Sequence, residues 1–158
     1  MSSPAAAMRI RRMSAADLGR VLEIAGSLQQ APHWPVAAYA AAMNPENTPR
    51  RIALVAADPE SDTPTGFLVV VLLAPEAELE AIAVAADGQR RGIGGLLLRA
   101  LAEGLRTEHI SELVLEVRAS NRTALGFYKA QGFEETGRRL RYYADPEEDA
   151  VLMRLKLA

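Results

Sequence analysis

Gln89-Arg90-Arg91-Gly92-Ile93-Gly94-Gly95 lies between an apolar run, Leu79-Glu80-Ala81-Ile82-Ala83-Val84, and a stretch in which Ile93, Leu96, Leu97, Ala100, Leu101 and Leu105 recur at helical spacing. The pattern predicts a strand, a glycine-rich turn and an amphipathic helix of about four turns. Glycine lets a backbone approach a ligand closely. A helix that starts at such a turn aims its unpaired amides and the positive end of its dipole at whatever lies in front. An anion such as a pyrophosphate is the natural occupant. The turn lacks the Lys-Ser/Thr pair of a Walker loop, and Gly-Ile-Gly-Gly-Leu-Leu departs from the dinucleotide pattern G-x-G-x-x-G, so ATP and NAD fit poorly and coenzyme A remains. The competing reading is a glycine-rich helix start with solvated arginines, and the rest of the chain has to decide between them.

Upstream, an Ala-rich start, expected to be flexible over residues 1–7, leads into a strand-like alternation from Met8 to Met13. Ser14 and Asp17 form an S-x-x-D capping signal before a helix carrying Leu18, Val21, Leu22, Ala25 and Leu28. Pro32 and Pro35 interrupt the chain, Pro35 suits the first turn of a second, shorter helix, and Asn44 to Pro49 reads as loop. Arg51–Ala57, Gly66–Leu73 and Glu78–Val84 then predict an antiparallel meander, with Asp58–Pro64 and Ala74-Pro75-Glu76 as its turns.

Downstream of the striped helix, Leu113, Leu115 and Val117 alternate with Val114, Glu116 and Arg118 in a further strand. A helix from about Asn121 to Ala130 stops at Gly132, and Phe133–Tyr143 and Ala150–Leu157 read as two closing strands. The order is β-α-α-β-β-β-α-β-α-β-β, without repeats. This predicts an α+β fold: a central, mixed, mostly antiparallel sheet flanked by helices. Only the strand-helix-strand passage from Glu78 to Arg118 demands a parallel pair, through a right-handed crossover.

At 158 residues with 49% hydrophobic, the chain suits a single domain, residues 1–158, with one substantial core. Eighteen basic against twenty acidic residues leave a net charge of -2, too balanced to hold polymeric nucleic acid. There is no cysteine, and the two histidines, His33 and His109, have no metal-ligand spacing, so no metal is expected. The longest apolar run, Phe67 to Ala74, falls far short of the ~20 residues of a membrane span and reads as a buried strand. Ala5-Ala6-Ala7-Met8 precedes Arg9, Arg11 and Arg12, the reverse of a secretory signal, which predicts a cytoplasmic protein.

Two residues draw attention for proton transfer. Glu116 interrupts an apolar strand on the face opposite Leu113, Leu115 and Val117, and Tyr128 lies on the next helix. Taken singly, each also reads as an ordinary structural residue: a salt-bridged strand carboxylate and a packing aromatic.

The stretch Leu115 to Phe133, with Ile82-Ala83-Val84 and the Gln89–Gly95 turn, resembles the GNAT acetyltransferases. Within that superfamily it is most similar to the RimI branch, bacterial enzymes that acetylate the N-terminal alanine of a small-subunit ribosomal protein. The closing Arg138-Arg139-Leu140-Arg141-Tyr142-Tyr143 and Glu148-Asp149-Ala150 extend the likeness over nearly the whole chain. The resemblance implies the GNAT fold, with the parallel strand-helix-strand at the acetyl-CoA site, and acetyl-CoA as cosubstrate. It also implies that Ile82, Ala83 and Val84 offer backbone groups to the acetyl and pantetheine portion, that Arg90, Arg91, Gly92, Ile93, Gly94 and Gly95 hold the pyrophosphate, and that Asn121 contacts the coenzyme. By the same matching Glu116 falls on the proton acceptor and Tyr128 on the proton donor.

Chemistry is consistent with those roles. A peptide α-amine has a pKa of about 7.7 to 8.0, so a base must strip the proton from most of it at pH 7. A carboxylate near 4.3 needs burial or a water relay to do so, whereas a phenol can protonate a leaving thiolate without bringing charge into the site. With no cysteine and no serine in a nucleophile motif, direct attack of the amine on the thioester is expected. Glu78 and Glu80 lie where other GNAT enzymes place their base; Glu78 is the stronger rival, and Glu116 is favoured over it by the motif match.

Other features leave choices open. Trp34, in Pro32-His33-Trp34-Pro35, reads either as an edge of an acceptor groove or as packing. The acidic run Asp145-Pro146-Glu147-Glu148-Asp149 beside Tyr142 and Tyr143 reads either as a rim for a cationic peptide end or as a solvated turn. Three functions stand. The first is acetylation of a protein or peptide N-terminus, that of a ribosomal protein first. The second is acetylation of a small amine such as a polyamine, amino acid or antibiotic. The third is a non-catalytic acyl-CoA-binding module, against which Glu116 and Tyr128 count.

Overall fold

A computed structural model of the chain describes residues 7–28, 34–89 and 91–157. The Ala-rich start through residue 6, Pro32, His33 and Arg90 lie outside the described residues. The elements are β1 (Arg9–Arg12), α1 (Leu18–Ser27), α2 (Val36–Met43), β2 (Arg51–Ala57), β3 (Pro64–Leu73), β4 (Glu76–Val84), α3 (Ile93–Thr107), β5 (Glu112–Arg118), α4 (Arg122–Ala130), β6 (Glu134–Tyr143) and β7 (Glu148–Lys156). Their order is the one expected. The seven strands form one sheet, β1-β2-β3-β4-β5-β7-β6. Every neighbouring pair is antiparallel except β4 with β5, which the α3 crossover makes parallel. β7 inserts between β5 and β6, leaving β6 as an edge.

Each face of the sheet carries its own core. On one side Ile93, Leu97, Leu98, Leu101 and Leu105 of α3 pack with Tyr128 of α4 onto Leu68, Val70, Leu79, Leu113, Leu115 and Met153. On the other, Val21 and Ile24 of α1 and Tyr39 of α2 pack onto Ala53, Val55, Phe67, Val69, Ala81 and Ala83. Being covered on both faces explains why Phe67–Val71 is an unbroken apolar run rather than an alternating one. Truncating a residue such as Leu97, which is fully buried, costs about 2–5 kcal/mol. Among the described residues no helix is long and apolar enough to cross a membrane.

The S-x-x-D signal forms: the Asp17 carboxylate accepts hydrogen bonds from the Ser14 N–H at 2.8 Å and the Ser14 hydroxyl at 3.2 Å. A short 3-10 turn, Ala15–Asp17, intervenes before α1 begins at Leu18. Arg11 of β1 grips the same carboxylate with both guanidinium arms, at 2.7 and 2.9 Å. Pro35 stands as the N-cap of α2, one residue ahead of the expected first turn.

An irregularity in β4 decides which of its side chains share a face. Val69 pairs with Ala81 but Val70 with Leu79, so Glu80 is an extra residue opposite β3. Such a bulge breaks the two-residue alternation of side chains. As a result Leu79 shares its face with Ile82 and Val84, while Ala81 and Ala83 line the opposite one.

Candidate active site

β4 and β5 pair only from Glu76–Glu112 through Glu78–Val114, although β4 runs on to Val84 and β5 to Arg118. Beyond that point the parallel strands part, and a wedge opens at their C-terminal ends, where open sheets with helical crossovers take their ligands. Its β4 wall is made of backbone. The Ala85 N–H donates to the Thr65 carbonyl at 2.7 Å, which makes that cross-strand pair a hydrogen-bonded one. Ladder alternation then puts Ala83–Phe67 in the same class and turns the peptide groups of Ile82 and Val84 away from β3, into the wedge. By the same alternation the peptide groups of Ala83 turn towards Phe67, so Ile82 and Val84 are the two of the expected three whose backbone faces the wedge. The Val84 carbonyl accepts from the Gln89 side chain at 3.0 Å, which leaves both groups of Ile82 and the N–H of Val84.

α3 begins beside the open end of the wedge. Gly92 caps it with φ +80°, a left-handed conformation that favours glycine, and the first helical bond is Leu96 N–H to Gly92 C=O. The amides of Ile93, Gly94 and Gly95 accordingly have no partner within the helix. Gly94 has a second reason to be glycine. A Cβ there would lie 2.9 Å from the Phe127 ring of α4, so the residue lets two helices approach. At Gly95 the neighbours are only the flexible ends of Gln131 and Arg99. Arg91 is half-buried. Asn121 caps α4, its Oδ1 accepting from the Ala124 N–H at 3.1 Å; its amide NH2 remains for a ligand.

The titratable side chains gather on the α1/α2 face. Leu113, Leu115 and Val117 are buried towards α3 and α4, so Glu116 projects to the other side, as alternation predicts. There its Oε1 lies 3.2 Å from the Arg139 Nε of β6, and the Tyr142 phenol stands close enough to feel the charge of the same carboxylate. The charge of Glu116 is the main reason the Tyr142 pKa is raised. Glu80 is clamped by Arg51, at 2.7 and 3.3 Å. Glu78 has no hydrogen-bond or ion-pair partner among the described residues. Burial raises its pKa, the charges of Glu116 and Glu80 add to the effect, and Arg139 opposes them.

Tyr128 belongs to the opposite face. Its ring is buried between Phe127 and Phe133, with centroids 5.3 and 5.5 Å away, and burial pushes its pKa up to about 12. Glu116 and Tyr128 share no hydrogen bond; they can serve one ligand only from the two sides of the wedge.

The features left open both have structural partners. Trp34 lies against Tyr39, centroids 5.2 Å apart, and Tyr39 stands edge-on to Phe67. Two acids of the hairpin have cationic partners, one of them on β5. Glu147 pairs with Arg141, Glu148 with Arg118, and Asp149 accepts the Arg141 N–H at 3.0 Å, so part of the hairpin's acidic charge is matched and part is spent on its own turn. Sequence reasoning had missed Arg139 and Arg51, the two cations that divide the three glutamates. Arg51 gave no signal beyond being an arginine in a strand, and Arg139 stood in the closing stretch of the family likeness without a role of its own.

A family model described as "Acetyltransferase (GNAT) family" matches residues 21–133. The chain belongs to the GNAT acetyltransferase family. A [Ribosomal protein bS18]-alanine N-acetyltransferase of Salmonella typhimurium is 41% identical over 99 residues, which cover 61% of this chain and 67% of that one. Its Escherichia coli K12 counterpart is 40% identical over 94 residues, 58% of this chain and 64% of that one, so the sequence match spans about two thirds of these GNAT relatives. In three dimensions, the ribosomal-protein-S18-alanine N-acetyltransferase from Escherichia coli superposes with a TM-score of 0.79 at 30% identity, covering 96% of this chain and 94% of that one.

Proposed function

We propose that the protein is an acetyl-CoA-dependent N-alpha-acetyltransferase, one domain over residues 1–158, whose acceptor is a protein N-terminus beginning with alanine. A ribosomal protein is the acceptor the named relatives suggest. The observation that carries the reading is the wedge, with unpaired backbone on its β4 wall and carboxylates gathered on one side of it.

The amides of Ile93, Gly94 and Gly95, with Arg91 and Arg90 nearby in sequence, suit the coenzyme pyrophosphate. Ile82 and Val84 suit the pantetheine amides, taken up as an added strand, and the Asn121 NH2 suits a further contact. Bound there, acetyl-CoA supplies the activated thioester.

On the acceptor side, Glu116 would meet the incoming ammonium while Arg139 holds its Oε1. Glu78, unpaired and raised in pKa, has the better claim to the proton, with Glu116 orienting the amine. This moves the base one strand from the position that motif matching favoured, because Arg139 already holds the Glu116 carboxylate while no side chain holds that of Glu78 among the described residues. The Tyr128 phenol, at about 12, stays protonated through the neutral range. Lying that far above a thiol at about 8.5, it stabilises the departing sulfur by a hydrogen bond more readily than by full transfer.

Acetyl transfer to a peptide library, read by mass, tests the acceptor. Peptides beginning with alanine are expected to lead, and shortening one to alanine amide is expected to lower kcat/KM at least tenfold, or ~1.4 kcal/mol. Equal turnover of alanine amide, or faster turnover of spermidine, would overturn the peptide acceptor. Glu78→Gln and Tyr128→Phe should each lower kcat by about 10²–10⁴. A near-normal Glu78→Gln beside an inactive Glu116→Gln returns the base to Glu116.

A further inference from the structure

β6 is an exposed edge strand, yet it sends two groups to one carboxylate. In a regular strand residues 139 and 142 point to opposite faces. Here Arg139 pairs with Ala150 and Tyr143 with Glu148, so Leu140, Arg141 and Tyr142 face the single residue Asp149. Arg141 takes φ +53° and gives its N–H to Asp149 Oδ1 at 3.0 Å, which fixes the bulge. The bulge brings Tyr142 round to the side of Arg139. The guanidinium carbon of Arg139 lies 5.4 Å from the Tyr142 ring centroid while its Nε is 3.2 Å from Glu116, so the arginine is held twice although it is 57% exposed.

We propose that Arg139 sets the charge specificity of the acceptor site: by neutralising Glu116 it leaves the Glu78–Glu116 pair with one net negative charge, which suits a monocationic peptide N-terminus and turns away polycations. Glu80 adds nothing to the balance, since Arg51 matches it. A polyamine brings a second ammonium, which would meet the guanidinium where a bare carboxylate would welcome it, and such like-charge contact is how sites reject wrong partners. The inference rests on the N-terminal acceptor reading above and names the residue that enforces it.

The groups that face Glu78 are Glu80 on its own strand, Glu116 on β5, and Arg139 and the Tyr142 phenol on β6. Arg139 is the cation among them that lowers its pKa. Losing that charge should move the acid limb of kcat/KM to higher pH, an effect that mere loss of packing at an exposed edge would not produce.

The test compares wild type, Arg139→Gln and Arg139→Lys, with Arg138→Gln as control. Arg138 pairs with Glu135 on its own strand, away from the site. The readouts are kcat/KM for an alanine-initiated peptide and for spermidine, across pH 5–9 as a practical range bracketing the carboxylate and amine pKa values. Arg139→Gln is expected to raise the spermidine-to-peptide ratio at least tenfold and to shift the acid limb upward. Arg139→Lys should restore both, and Arg138→Gln should change neither. An unchanged ratio in folded Arg139→Gln, or a Lys variant that behaves like the Gln one, overturns the role of Arg139 while leaving the peptide reading intact. Wild type that acetylates spermidine and no peptide overturns that reading instead.

Discussion

Two helices of this protein begin next to a polar demand and meet it in opposite ways. The turn that leads into α1 is closed from within: Asp17 takes the Ser14 N–H, and Arg11, itself joined to Asp62 at 3.0 Å, balances the charge. α3 begins on Gly92 with no side chain capping it. The first arrangement satisfies itself and answers to no ligand. The second leaves amides unpaired beside a wedge of unpaired strand, the place proposed above for the coenzyme pyrophosphate.

The contrast between the two ends breaks most visibly if the bare one is given its own anion. Gly92→Asp places a carboxylate where the pyrophosphate is proposed to sit, and calorimetry is expected to find acetyl-CoA binding weakened about 100-fold, near 2.7 kcal/mol. Gly92→Asn carries the same conformational burden without charge and should lose far less. Equal losses in the two would remove the electrostatic reading of this terminus.

Opening the closed end should cost stability and leave coenzyme affinity alone. Asp17→Asn removes charge-assisted hydrogen bonds from Arg11, and urea unfolding is expected to report a loss of about 2–3 kcal/mol. The pH dependence has a definite sign. The Asp17 pKa is lowered, chiefly by the hydrogen bond from Arg11, so its contribution is present above the unfolded value near 3.9 and disappears as pH falls through the lower folded value. Wild type should therefore lose its advantage over Asp17→Asn in acid; a constant gap down to that range would contradict the assignment.

A smaller effect separates the two neighbouring glycines of the α3 turn. Gly94→Ala forces a Cβ to 2.9 Å from Phe127 and is expected to destabilise by about 1–3 kcal/mol, most of it recovered in the double variant with Phe127→Leu. Gly95→Ala meets only flexible side chains and should fall within about 0.5 kcal/mol of wild type in thermal unfolding. If Gly94→Ala is harmless, the glycine is there for the ligand and not for the neighbouring helix.

Much of the molecule was legible in the chain itself. The element order, the α3 stripe, the S-x-x-D signal and the turn at Gln89–Gly95 all rest on spacing along a single segment, where backbone geometry alone decides what residues three, four or two apart can do. Glu116 facing away from Leu115 and Val117 was readable for the same reason. The wedge was half legible: a strand-helix-strand unit announces a parallel pair, not the residue at which that pair comes apart.

What only tertiary structure decided depends on a partner strand. A bulge at Glu80 exists because β3 takes one residue where β4 has two, and it places Leu79 with Ile82 against the simple alternation of the sequence. Whether Ala83 or Ile82 offers its backbone to a ligand follows from which pairs of that ladder are hydrogen-bonded, a property of two strands and not of one. The charges behaved alike: acidic residues and arginines far apart in sequence, Glu80 with Arg51 and Glu116 with Arg139, meet across strands, and Glu78 has no ion-pair partner among the described residues. Local pattern determined which face of β5 carries Glu116, because alternation along a regular strand is a one-strand property. Register across the sheet determined which of the acids are neutralised, because ion pairs form between neighbours in space.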